Sequence, residues 1–312
     1  MFQVYLSELK ELRYAIRRIK YQKILYDKCN ASYREHLSII KKTETKLKKV
    51  GSGRNDIPKK DLHYIFNRWL ETDKIRTKHR RQEILTARLS QIASLKVAEY
   101  LKQRIDDLSK EKRLLKGLES QETKVIAKLE KKIQETKDPK GASFIPFILN
   151  TENLSIDLKE IKGTLLLGEM ALKKLSEAIK IMKTLAESNT TDLATVPQRG
   201  EWSYVAFINC VEAYMNLCAF RNELTQYVET RDLQLHLETL PKFMSTLINQ
   251  LILDWTENKR FKLSLFHIRK TINMVEALLQ GLNVKKLKVE GELAITTQEL
   301  DAITKRLIKS SS

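Results

Sequence analysis

Arg13, Arg17 and Lys20 recur at steps of four and three, which puts three cations on one side of a helix, with Arg18 beside them. Such a face can do electrostatic chemistry: it can hold phosphate or carboxylate groups by charge, without making bonds. Tyr14 and Tyr21 lie seven apart, as do Tyr26 and Tyr33. Rings spaced in this way either stack on bases or sit at lipid headgroup level, or they belong to a helix–helix seam. Both readings stay open. A second cluster, Lys41, Lys42, Lys46, Lys48 and Lys49, runs up to Gly51, and a third, Arg76, Lys78, Arg80 and Arg81, surrounds His79. The expected anion-binding residues are Arg13, Arg17, Arg18, Lys20, Lys41, Lys42, Lys46, Lys49, Arg76, Lys78, Arg80 and Arg81.

Other chemistry finds little support. The histidines His36, His63, His79, His236 and His267 are scattered, and none pairs with another at the four-residue spacing that aims two imidazoles at one metal. No Glu-x-x-His pair of a di-iron bundle occurs. Gly163 and Gly168 lack the Lys-Ser/Thr that a phosphate loop requires. His236 follows Asp232 by four residues, a spacing for a local ion pair rather than catalysis. Cys29 sits beside Lys28 in a basic stretch that favours thiolate, yet no partner base accompanies it. Cys210 and Cys218 lie about two turns apart on an apolar stretch and read as buried free thiols, which fits a reducing compartment. The sequence thus predicts no catalytic residue, no metal ligand and no cofactor.

The elements that would position these clusters are helices. The chain of 312 residues holds only 9 Gly and 5 Pro, so long segments run without interruption. Residues 1–50 contain neither, and Leu6, Leu9, Ile16, Ile19 and Leu25 recur at helical spacing. Gly51, Gly53 and Pro58 then mark a turn, and residues 61–116 are again free of Gly and Pro, about 84 Å if they form one helix. The seam Leu101, Ile105, Leu108, Lys112, Leu115, Glu119, Glu122, Ile126, Leu129, Ile133 alternates steps of three and four, and it carries the helix on through Gly117. Folded back at 51–58, these rods form an antiparallel coiled-coil hairpin that gathers the cations into one positive ridge.

Charge divides the chain. Residues 1–150 carry 36 Lys/Arg against 19 Asp/Glu, whereas residues 151–312 carry 21 against 20, so the excess of +18 lies almost wholly in the first half. Pro139, Gly141 and Pro146 suggest a linker. The expected organisation is all-α: a basic hairpin over 1–137, a linker over 138–150 and a helical bundle over 151–312. Within the bundle, helices are predicted over about 152–188, 201–229, from Pro241 to about 255, and 261–280 up to Gly281. A last helix follows the capping box Thr296-Thr297-Gln298-Glu299.

These patterns imply a non-enzymatic scaffold or adaptor whose hairpin binds an anionic membrane surface or an acidic protein, self-associated as a dimer or part of a larger assembly. The alternative is a nucleic-acid-binding protein without sequence specificity, salt-dependent because each neutralised phosphate releases counterions. A second alternative is a purely structural subunit whose charge serves solubility. No stretch reaches the roughly 20 apolar residues of a membrane span, and Lys10, Arg13, Arg17 and Arg18 precede any apolar run, so a cytoplasmic protein, peripherally attached at most, is expected.

Overall fold

The computed structural model describes residues 2–50, 79–112, 117–136, 141–187, 197–225, 227, 231–256 and 261–310. The fold is all-α. Among the described residues seven helices follow in order: α1 (Phe2–Val50), α2 (His79–Lys112), α3 (Leu118–Thr136), α4 (Gly141–Glu187), α5 (Pro197–Leu224), α6 (Arg231–Thr256) and α7 (Lys262–Ser310). The expected hairpin tip at 51–58 lies outside the described residues, and so does the first part of the predicted 61–116 helix.

Two compact units emerge, and neither is a sequential half of the chain. The first comprises Met1–Lys28, Arg104–Leu165 and Leu282–Ser312; the second comprises Cys29–Gln103 and Leu166–Gly281. Each therefore draws residues from α1, α2, α4 and α7.

In the first unit, one apolar cluster joins four helices: Leu9 of α1, Val125, Leu129 and Ile133 of α3, Phe144 and Ile148 of α4, and Leu300 and Ile303 of α7. This cluster covers most of the expected linker over 138–150, of which 138–140 lie outside the described residues. Residues 141–150 form the first turns of α4, with Pro146 inside the helix. A proline there forfeits a backbone hydrogen bond and costs about 3 kcal/mol. Phe144 and Ile148 are fully buried on either side of it, and each contributes about 1.5–3 kcal/mol by leaving water, enough to offset the loss.

Gly117 breaks the seam that was expected to run through it. Its φ of 105° is left-handed, and its carbonyl accepts the first bond of α3 from the Gln121 amide at 3.1 Å. The seam survives on both sides of the break. Leu101 and Ile105 are buried in α2, and Leu129 and Ile133 in α3, where Val125 rather than Ile126 takes the fully inward position.

The second unit is built around α5. This helix is buried on most sides, through Ala206, Phe207, Cys210, Val211, Ala213, Leu217, Cys218, Ala219 and Phe220, as its sequence predicts. It starts at Pro197, earlier than expected, because a proline at the first helical position gives up an amide that has no partner there anyway. Pro241, expected to start a helix, instead lies inside α6, held between the buried Leu240 and Met244. Asp254, fully buried near the end of α6, accepts the Ser264 amide at 3.1 Å and the Ser264 hydroxyl at 2.6 Å, and so ties down the start of α7.

The expected stop at Gly281 and restart at Thr296 do not occur; α7 runs unbroken through both. Gly281 is there for packing: a Cβ would meet Leu233 Cδ1 at 2.5 Å. Thr296 and Thr297 send their hydroxyls back to the Leu293 carbonyl at 3.2 and 2.7 Å, the bonding of threonines within a helix, not at its cap.

Candidate functional site

The first basic cluster is turned inward. Leu9, Ile16 and Ile19 pull α1 onto the core of the first unit, which brings its neighbouring cations against acids of α3 and α4. Arg13 donates to Glu122 Oε1 at 2.7 Å and to Asn153 Oδ1 at 3.4 Å. Arg17 pairs with Asp157, Lys20 with Glu119 at 2.9 Å, and Lys10 with Glu152 at 3.7 Å. Partial burial raises the Asp157 carboxyl above its ordinary value, outweighing the opposing pull of Arg17. Tyr14 lies under the Lys159 ammonium, 4.7 Å from the ring centre, and accepts its hydrogen bond. Three of the four expected anion binders in this cluster are thus engaged with the chain's own carboxylates. Arg18 is exposed.

The second cluster faces outward. In the second unit α1 buries Cys29, Ser32, His36 and Ile40, one seam at steps of three and four. Lys41, Lys42, Lys46, Lys48 and Lys49 fall on the far side and are all exposed. Among the described residues none of their ammonium groups has an acid within 4 Å. Arg34, which the sequence reading passed over, shares this face and is exposed without an acid partner among the described residues. Its seven-residue spacing from Lys41, and theirs from Lys48, was the signal that could have found it. From Arg34 to Lys49 the face is about 22 Å long. Glu44 turns aside and accepts from Gln91 Nε2 at 3.4 Å.

Of the third cluster, Arg76 and Lys78 lie outside the described residues, and of Arg80 and Arg81 only the helical backbone of α2 is described.

Also in the second unit, α1, α5 and α6 enclose a recess of about 380 Å³, with Glu35, Tyr214, Arg221, Glu238 and Lys242 among its lining. Its charges balance, two acids against two bases, so it suits a small polar molecule better than a polyanion. Behind it His36 is buried edge-on to Tyr214, ring centres 5.4 Å apart, and burial lowers its pKa. Cys29 is buried as well, its thiol accepting from Asn222 Nδ2 at 3.7 Å, so it lacks the exposure that a nucleophile requires. Burial pushes the thiols of Cys210 and Cys218 up to about 12. Among the described residues no group of His, Cys, Asp or Glu is placed to hold a metal ion, and no helix is long and apolar enough to cross a membrane.

No protein-family model, curated protein or solved structure matches this chain.

Proposed function

We propose that this chain is a non-enzymatic helical scaffold that docks on an anionic membrane surface through the outward face of α1, using Arg34, Lys41, Lys42, Lys46, Lys48 and Lys49. The observation that carries this reading is that six cations are exposed along the outward side of α1, with Glu35 and Glu44 the exposed acids among them and no acid within 4 Å of any of the six among the described residues. An unpaired cation is free to exchange its counterions for lipid headgroups, which contributes about 1 kcal/mol per basic residue near the surface. Five of the six are lysines, compact point charges suited to mobile headgroups rather than to the fixed fork geometry of one phosphate.

Nucleic acid is the weaker reading. Stacking platforms for single strands need displayed rings, and Tyr14, Tyr21, Tyr26 and Tyr33 are all partly buried along α1. Co-sedimentation with phosphatidylcholine vesicles, with and without phosphatidylserine, set beside a duplex-DNA gel shift over the same salt series, tests the proposal. Binding that requires phosphatidylserine supports it. Tighter binding to the duplex at every salt concentration would transfer the face to nucleic acid.

A further inference from the structure

In the first unit α7 has two apolar faces. Leu282, Val289, Leu300 and Ile303 point into the protein and are buried. On the opposite side Val284, Leu287 and Ile295 are 69%, 67% and 60% exposed, with Gly291 between them at the same three-and-four spacing. Isolated exposed leucines are ordinary, but three large apolar side chains in one line along a single helix are not.

Gly291 adds an independent observation. Glycine inside a helix weakens it relative to alanine, so it calls for a reason. Gly168 has one in this fold, because a Cβ there would meet Leu279 and Phe220 below 3.0 Å. At Gly291 a Cβ would meet nothing within 4 Å. The chain's own packing does not require a glycine there, whereas a second helix laid across the stripe could approach most closely at that point.

The flanking charges say which helix. Lys288 lies on the N-terminal side of Gly291, and Glu292 and Glu299 lie on the C-terminal side. All three are exposed and lack ion-pair partners among the described residues. Two copies of α7 laid antiparallel about Gly291 bring Lys288 of each toward the carboxylates of the other. In a parallel two-fold pair the flanks that carry these three residues would lie on opposite sides of the interface, and Lys288 would not meet those carboxylates.

We propose that the Val284–Ile295 face of α7 is a self-association surface, on which a second copy of this chain docks its own α7 antiparallel, closest at Gly291. The arrangement is two-fold and therefore closed. It does not rest on the lysine face of α1. One helical face of this length falls at the low end of interface sizes, so the dimer is dynamic, with a dissociation constant on the order of 10 µM.

Sedimentation velocity on the full chain, from about 1 to about 100 µM, tests it across the range where such an interface would form. The expected result is a concentration-dependent doubling of mass. Leu287→Lys should remain monomeric with an unchanged thermal melt, since its side chain is mostly exposed. Lys288→Glu should weaken the dimer about tenfold, the usual reach of a rim charge, and adding Glu292→Lys should restore it. A monomer at every concentration overturns the proposal, and so does a dimer that Leu287→Lys leaves intact.

Discussion

The Arg13 guanidinium donates to Glu122 Oε1 at 2.7 Å, joining residues 109 apart in sequence and fastening α1 to α3. Both side chains are mostly covered, at 20% and 17% exposure, so water screens the pair less than it would a surface bridge. Arg13→Met is expected to cost about 1–3 kcal/mol, chiefly by leaving a partly desolvated carboxylate without its donor. A double-mutant cycle with Glu122→Gln, read in urea, should return a coupling of about 1–2 kcal/mol. A coupling indistinguishable from zero would mean that the pair is incidental to the fold.

Two glycines of α4 should respond in opposite directions to the same substitution. Gly163→Ala meets nothing within 4 Å and gains helix propensity, so it should stabilise by up to about 1 kcal/mol. Gly168→Ala drives a methyl to 2.7 Å from Leu279 and 2.9 Å from Phe220, both buried and unable to swing away. That overpacking should destabilise by about 1–3 kcal/mol despite the same gain in propensity. Thermal melts of the two variants decide it; equal shifts would contradict the packing of α4 on α5 and α7.

Acid should weaken the fold through His36. Its imidazole is buried beside Tyr214, and burial lowers its pKa, with Glu35 opposing. The unfolded chain therefore takes up a proton first. The contribution of neutral His36 is complete above about pH 6.5 and is lost as pH falls from there through the lower folded pKa. Urea midpoints at pH 7.5 and 5.5 should fall less for His36→Phe, which keeps the edge-on ring, than for the native chain. An identical fall in both would remove His36 from the account.

The three thiols should be silent in the native state. Cys29, Cys210 and Cys218 are all buried, and burial holds the latter two near 12, far above the range where thiolate forms. Titration with a chromogenic disulfide should count no thiols in buffer and all three in guanidinium. Rapid modification of Cys29 in buffer would reopen a chemical role for it.

Helices were legible because they depend on local spacing. The scarcity of Gly and Pro, the Leu101–Ile105 and Leu129–Ile133 seams and the apolar surround of α5 all carried through to the structure. Helix ends were misread wherever tertiary burial overrode punctuation. Phe144 and Ile148 hold Pro146 inside α4, Leu240 and Met244 hold Pro241 inside α6, and the continuing seam from Val289 to Leu300 carries α7 past Thr296. The basic clusters split for a related reason. Nothing local distinguishes Arg13 from Lys46; the difference lies in Glu122 and Asn153, more than a hundred residues away, which meet Arg13 only once the core has formed.

The most direct test of the central claim replaces the five lysines of the outward α1 face, Lys41, Lys42, Lys46, Lys48 and Lys49, with glutamine. A control with the same charge loss replaces Lys102, Lys131, Lys173, Lys180 and Lys183, which are also exposed. At about 1 kcal/mol per lysine, affinity for phosphatidylserine vesicles should drop roughly a thousandfold or more in the first variant. The control should lose far less. Equal losses in the two would show that net charge alone drives binding, contradicting a dedicated docking face on α1.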